Sequence, residues 1–351
     1  MQAITVEPHH ADSARLEDVP DPDERLGTVL CEAVAVGVCG TDLEITSGAY
    51  GWAPEGRDRL VLGHESLGRV LDPGPTSGLA QGDLVVGIVR RPDPVPCPSC
   101  AVGEWDMCRN GEYTERGIKA VDGYMSERWR IEPEYAVRVD PSLGELGVLL
   151  EPTTVVAKAW EVVSSAGLRA FWEPTTALVT GAGPIGLLAA LLGVQHGLDV
   201  HVLDRADTGP KPDLVAALGA TYHTGNVLDI GVEPDIVIEA TGVNQVVLDS
   251  VRAVASGGVV CLTGIGGGNQ PLQAPPGDDP LANEIVLQNK VIVGSVNANR
   301  RHYYKGARAL ARADRDWLAR LITRRVPAER FADALTRQPD DIKAVVEFTA
   351  G

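Results

Sequence analysis

The chain has 351 residues, 44% of them hydrophobic and 23% charged, with a formal net charge of −17; this is ordinary globular composition, enough for about two domains without disulfide staples. So acidic a chain suits neither nucleic acid nor an anionic membrane surface, because nothing offsets phosphate repulsion. The first residues lack a basic stretch followed by an apolar one, and the most apolar segment, "ALVTGAGPIGLLAALLGV", is broken by glycines and a proline, so neither a signal peptide nor a membrane span is read and a cytoplasmic protein with reduced thiols is expected.

The first 150 residues are rich in short β-type runs. "GTVLCEAVAVGVCG", "LVLGHESLGRVLDPG" and "GDLVVGIVRR" are each bounded by Gly, Pro or Asp, which predicts a mostly-β domain with long loops over residues 1–160. Cys31 and, much later, Cys261 sit inside apolar runs and read as core. Three short strings carry other chemistry: "VCGTD" with Cys39, Thr41 and Asp42, "LGHES" with His64 and Glu65, and "LLEPTT" with Glu151. A thiolate, an imidazole and carboxylates suit catalytic zinc, which keeps one position open for substrate. None is decisive singly, since a lone His among strands is more often hydrogen-bonded structure. "CPSCAVGEWDMC" gathers Cys97, Cys100 and Cys108, three of the six cysteines. In a cytosolic chain such clustering favours a metal over a disulfide.

From about Thr176 the rhythm becomes strand-helix-strand: "TALVT", then "GAGPIGLLAALLGVQHG", "DVHVL", "PDLVAALGA", "DIVIEATG", "NQVVLDSVRAVAS", "GGVVCLTG", "LANEIVLQNK" and "VIVGSVN". This alternation predicts an α/β doubly wound parallel sheet over residues 161–296. Gly181, Gly183 and Gly186 stand in G-x-G-x-x-G spacing between a strand and a helix, the context in which that motif binds a dinucleotide pyrophosphate at the helix N-terminus. With Pro184 and Ile185 between them, and Thr241 and Ser295 near the ends of later strands, they form the expected cofactor set. Asp204 ends the second strand, eighteen residues after Gly186, where a carboxylate takes the ribose hydroxyls of NAD. Arg205 follows it and could instead clasp the 2′-phosphate of NADP; the choice between the two stays open. The tail, residues 297–351, reads as helical and closes on the strand-like "IKAVVEFT".

Taken together, "CGTD", "LVLGHE", "VRRP", "YTERGI", "DGYM", "LLEPT", "NEIVLQNK" and "VGSVN" give the chain an end-to-end resemblance to the zinc-dependent medium-chain dehydrogenases, and within them to the archaeal-type glucose dehydrogenases. The resemblance implies a GroES-like catalytic domain, a Rossmann domain, and a C-terminal stretch that returns to the catalytic side. It implies oxidation of an aldose, glucose first, at C1 to the lactone with NAD or NADP; another polyol, a cyclitol or a secondary alcohol is the alternative, and a non-catalytic redox sensor a remote one. A homo-oligomer, dimer or tetramer, is expected. Position by position, Cys39 and His64 match fixed zinc ligands, and Glu65 and Glu151 match carboxylates that join the metal or touch the sugar. Thr41 matches a proton-relay hydroxyl, Asp42 a carboxylate behind the histidine, Glu115 a sugar binder, and Asn297 a contact of both nicotinamide and substrate. The wider superfamily carries a structural zinc on four cysteines spaced C-x2-C-x2-C-x7-C. Cys97, Cys100 and Cys108 fill the last three places and Pro94 falls on the first. Glu112 is the first choice for the missing ligand and Asp93 the second.

Overall fold

Val29–Gly37, "VLCEAVAVG", alternates buried and half-buried side chains along most of its length, the pattern of a strand inside a sheet. In the computed structural model, which describes residues 1–265 and 281–348, it is the centre of a seven-stranded sheet. It runs antiparallel to Glu65–Asp72, to Arg128–Ile131 and to Lys343–Glu347. Lys343–Glu347 in turn lies parallel to Ile322–Pro327. The last described strand of the chain is therefore built into the sheet that the first hundred residues begin, and one compact unit comprises Met1–Thr154 with Asn297–Gly351.

The second unit is Val155–Val296. Its six parallel strands are β1 (Thr176–Thr180), β2 (Asp199–Leu203), β3 (Thr221–His223), β4 (Ile236–Glu239), β5 (Val259–Leu262) and β6 (Val291–Gly294). Their order is β3-β2-β1-β4-β5-β6. Leu178, Val237 and Val260, on three of the four interior strands, are fully buried, as expected where helices cover both faces of a parallel sheet. The strand order reverses direction between β1 and β4, and sheets of this kind bind ligands outside the carboxyl ends of the strands at such a point. The division between the units falls inside the helix Leu150–Gly167, slightly before the sequence-expected boundary at residue 160. A continuous helix offers no turn or composition break to mark such a point.

Candidate active site

Cys39 precedes the short helix Gly40–Thr46 as its N-cap. His64 and Glu65 stand at the start of the strand Glu65–Asp72. One ligand atom from each of Cys39, His64 and Glu65 lies within 4.8 Å of the others. Behind them Asp42 is fully buried. One of its oxygens accepts the Cys39 N–H at 2.8 Å, and the other lies 3.5 Å from His64 Nδ1. Burial alone would disfavour a charged imidazole, but Asp42 and Cys39 outweigh it and raise the His64 pKa well above its ordinary value. Such a pocket calls for a cation. Zinc fits this donor set, with the carboxylate behind the imidazole fixing its orientation.

Glu65 is held by a residue the sequence reading did not single out. Lys343 Nζ donates to its two oxygens at 2.7 and 2.6 Å and to the Val38 carbonyl at 3.0 Å, and neither side chain is more than 2% exposed. The register sets Gly37 opposite Glu65. A Cβ at Gly37 would lie 2.1 Å from Glu65 Oε2, so only glycine leaves the carboxylate this position. Glu151, in the first turn of Leu150–Gly167, is buried. Burial pushes its carboxyl up to about 7, with His64 opposing and Glu65 adding to the shift. Its oxygens are not among the atoms drawn within 4.8 Å. Thr41 lies half-buried on the first turn of Gly40–Thr46.

Glu115 and Asn297 are brought together: Asn297 Nδ2 donates to Glu115 Oε1 at 2.7 Å. Asn297 adopts φ 60°, a left-handed conformation that Asn tolerates better than most residues. The same carboxylate oxygen accepts from Arg90 Nε at 3.0 Å and pairs with its Nη2 at 2.9 Å. The Arg90 guanidinium lies 3.7 Å from the Tyr113 ring centroid. Arg90, present in the quoted "VRRP" but given no role there, thus fixes the expected sugar binder.

In the lobe, the thiols of Cys97, Cys100 and Cys108 lie within 4.8 Å of one another. Cys97 Sγ accepts the N–H groups of Arg109 at 3.4 Å and Cys100 at 3.5 Å, and these bonds draw its pKa down to about 6. Burial pushes Cys100 up to about 11. The reading of Glu112 as fourth ligand does not follow from this geometry: Glu112 is exposed and does not join the cluster. Asp93 is buried, with its backbone N–H on Cys100, but its carboxylate does not join the three thiols within 4.8 Å either. The Asp93 carboxylate accepts from the Val95 N–H at 2.8 Å and Asn110 Nδ2 at 2.6 Å.

In the second unit, β1 runs into Gly181 at φ 92° and the helix Pro184–Gln195 begins after Gly183. A Cβ at Gly186 would strike the Gly181 carbonyl oxygen at 1.7 Å, whereas one at Gly183 would meet nothing within 4 Å. The helix start has no side-chain cap, so its free N–H groups and open approach suit a pyrophosphate. Pro184 and Ile185 form the first turn of that helix. Asp204 Oδ2 accepts the Ala182 N–H at 2.6 Å, tying the end of β2 to the glycine loop, and Oδ1 accepts the Ala206 N–H at 3.0 Å. Lys211 Nζ bonds both Asp204 oxygens at 3.0 and 3.2 Å, while Arg205 is exposed. Thr241 gives its backbone N–H (2.7 Å) and its hydroxyl to Glu239, which is fully buried at the end of β4. The Ser295 hydroxyl, just after β6, is buried with no hydrogen-bond partner, a polar atom that a bound dinucleotide could satisfy.

The family model for the alcohol dehydrogenase GroES-like domain matches residues 25–141, and the one for the glucose dehydrogenase C-terminus matches residues 144–348. The glucose 1-dehydrogenase of Methanocella arvoryzae is 38% identical, covering 100% of both chains. That of Thermoproteus tenax is 40% identical over 99% of each. A solved structure of Haloferax mediterranei glucose dehydrogenase in complex with NADP, Zn and gluconolactone superposes with a TM-score of 0.91 at 35% identity, covering 100% of both chains. The chain belongs to the glucose 1-dehydrogenase family of zinc-dependent medium-chain dehydrogenases.

Proposed function

We propose that this protein is an NAD(P)-dependent glucose 1-dehydrogenase that oxidises the sugar at C1 to the lactone, with Cys39, His64, Glu65 and Glu151 around a catalytic zinc. The observation that carries this reading is the convergence of Cys39, His64 and Glu65 within 4.8 Å, in a chain similar over its whole length to glucose 1-dehydrogenases. When bound, zinc acts as a Lewis acid toward the C1 hydroxyl and the nicotinamide ring accepts the C1 hydride. The rest is done by side chains. Asp42 fixes the His64 ring and holds the Cys39 backbone. Lys343 fixes Glu65. Thr41 carries the hydroxyl proton outward. Glu115, locked by Arg90 and Asn297, hydrogen-bonds the sugar and selects which hydroxyl reacts.

Gly181, Gly183, Pro184, Ile185 and Gly186 receive the pyrophosphate, and Thr241, Ser295 and Asn297 complete the cofactor contacts. Asp204 receives the adenosine ribose. Lys211 offsets much of the Asp204 charge, which lessens repulsion of a 2′-phosphate, so the reading includes both NAD and NADP. A second, structural zinc on Cys97, Cys100 and Cys108 belongs to the same proposal, with Asp93 better placed than Glu112 to complete it. A homo-oligomer does too. It is supported by β6, the edge strand of its sheet among the described residues, where Ile292 is 41% exposed and an open edge invites a partner. Among the described residues no helix is long and apolar enough to cross a membrane, and a cytoplasmic location is proposed.

Initial rates on a panel of aldoses and polyols, each with NAD and NADP, test the reading. Glucose or a close aldose should give the highest kcat/KM; turnover of polyols alone would replace the substrate assignment. Metal analysis should return two zincs per chain. One zinc, with all three lobe thiols open to a thiol reagent, would remove the structural site.

A further inference from the structure

We propose that Tyr50 helps determine which aldoses are accepted: its hydroxyl bonds a sugar hydroxyl away from C1, beside Glu115, and Trp52 holds it there. The proposal rests on the reading of the protein as an aldose dehydrogenase and adds a partner for the sugar.

Tyr50 and Trp52 lie in the loop that follows Gly40–Thr46, the helix that carries Thr41. Gly51 between them adopts φ 100°, a conformation that favours glycine. The two flanking rings meet edge to face, with centroids 4.9 Å apart and planes at 75°. This loop is fastened to the segment that carries Glu115. The Trp52 N–H donates to the Ile118 carbonyl and the Ala120 N–H to the Trp52 carbonyl, both at 2.9 Å. Glu115 and Lys119 exchange backbone hydrogen bonds at 2.8 Å. Lys119 Nζ lies 4.5 Å from the Tyr113 ring centroid and 5.8 Å from that of Trp52. Arg90, stacked on Tyr113, pairs with the Glu115 carboxylate. Three aromatic rings are thus gathered around the expected sugar binder.

Two polar atoms of this group are open to a ligand. Arg90 and Asn297 bond only Oε1 of Glu115. Oε2 of Glu115 and the Tyr50 hydroxyl make no hydrogen bond among the described residues, and neither is closed off from solvent. Burial raises the Tyr50 pKa, with the Glu115 charge and Tyr113 adding to the shift, so the phenol stays neutral and can donate. A sugar hydroxyl both donates and accepts; the carboxylate is an acceptor for it and the phenol a donor. Tyr50 is half-buried and joins an apolar ring to a polar tip, which suits a ligand of the same mixed character.

Initial rates on glucose and on its monodeoxy analogues that keep the C1 hydroxyl test this in wild type, Tyr50→Phe and Trp52→Leu. Tyr50→Phe should lower kcat/KM for glucose by about tenfold, the size of one lost hydrogen bond. The loss should fall on KM, because the bonded hydroxyl takes no part in the reaction. For the analogue that lacks this hydroxyl, the same substitution should change kcat/KM by less than about twofold. Trp52→Leu, which keeps the phenol but not its support, should show the same pattern with a smaller loss. An equal fall for glucose and every analogue marks a purely structural role and would overturn the proposal, as would an unchanged kcat/KM for glucose in Tyr50→Phe. A wild type that turns over none of these sugars would overturn the aldose dehydrogenase reading, and the proposal with it.

Discussion

Replacing Lys343 by Met removes the only cation bonded to Glu65 among the described residues. Lys343 and Glu65 are 278 residues apart in the chain, yet two charge-assisted hydrogen bonds of 2.7 and 2.6 Å join them. Glu65 is 1% exposed, so water cannot take the place of the ammonium. Breaking one side of a buried ion pair costs about 3–5 kcal/mol, because the remaining charge is stranded. That is a large share of the roughly 5–15 kcal/mol by which domains are stable. At about 2–4 °C per kcal/mol for a unit of this size, the melting midpoint should fall by roughly 6–20 °C. Calorimetry on the metal-free enzyme reads it directly, because a bound zinc would itself meet the Glu65 charge. The double variant Lys343→Met, Glu65→Gln should regain much of the loss, since no charge is then stranded. A loss under about 1 kcal/mol, the size of an exposed ion pair, or simple additivity in the double variant, would refute the reasoning.

Cys39→Ala and His64→Ala should each lower kcat by more than about 100-fold, beyond what removing an outer partner of a ligand costs. Fluorescence titration should find NADPH binding largely intact in both, because the glycine loop belongs to the other unit. Gly186→Ala should do the reverse: its Cβ would sit 1.7 Å from the Gly181 carbonyl oxygen, displacing the loop, so NADPH affinity should fall while the metal content stays. Asp204 should make that affinity acid-sensitive. Burial pushes its carboxyl up, but the N–H groups of Ala206 and Ala182 and the Lys211 ammonium outweigh it, so the folded pKa lies below the ordinary value. The contribution of Asp204 to loop stability is complete above the ordinary carboxylate pKa of about 4. It is lost as pH falls through the lower folded value. NADPH binding should hold from neutral pH down to about pH 4 and weaken below, and Asp204→Asn should flatten that dependence.

What could be read from the sequence follows from which constraints are local. The glycine loop was legible because a tight turn and a close helix start demand glycines at fixed spacing, and β1, β2, β4 and β5 were legible as short apolar runs. That Cys39 and His64 come together was legible through their strings and the family likeness. Lys343 was not. A lysine in "IKAVVEFT" has the look of a solvent-facing position, and only the return of that strand beside Val29–Gly37 buries it against Glu65. Arg90 was hidden for the same reason. The strand Ile322–Pro327, "ITRRVP", was absorbed into a helical tail because its charged residues mask the alternation. The edge strand β3 has only three residues, none of them fully buried. Glu112 was chosen for its nearness in sequence to Cys108, and side-chain direction, which spacing does not give, turns it to solvent.

Transfer of hydride from C1 of the sugar is the central claim, and isotope transfer tests it most directly. Glucose deuterated at C1 is incubated with the enzyme and NADP, and the reduced cofactor is weighed by mass spectrometry. The account predicts that NADPH carries the deuterium and that the lactone does not. Unlabelled NADPH, with deuterium retained in the sugar product, would place the oxidation at another carbon and contradict it.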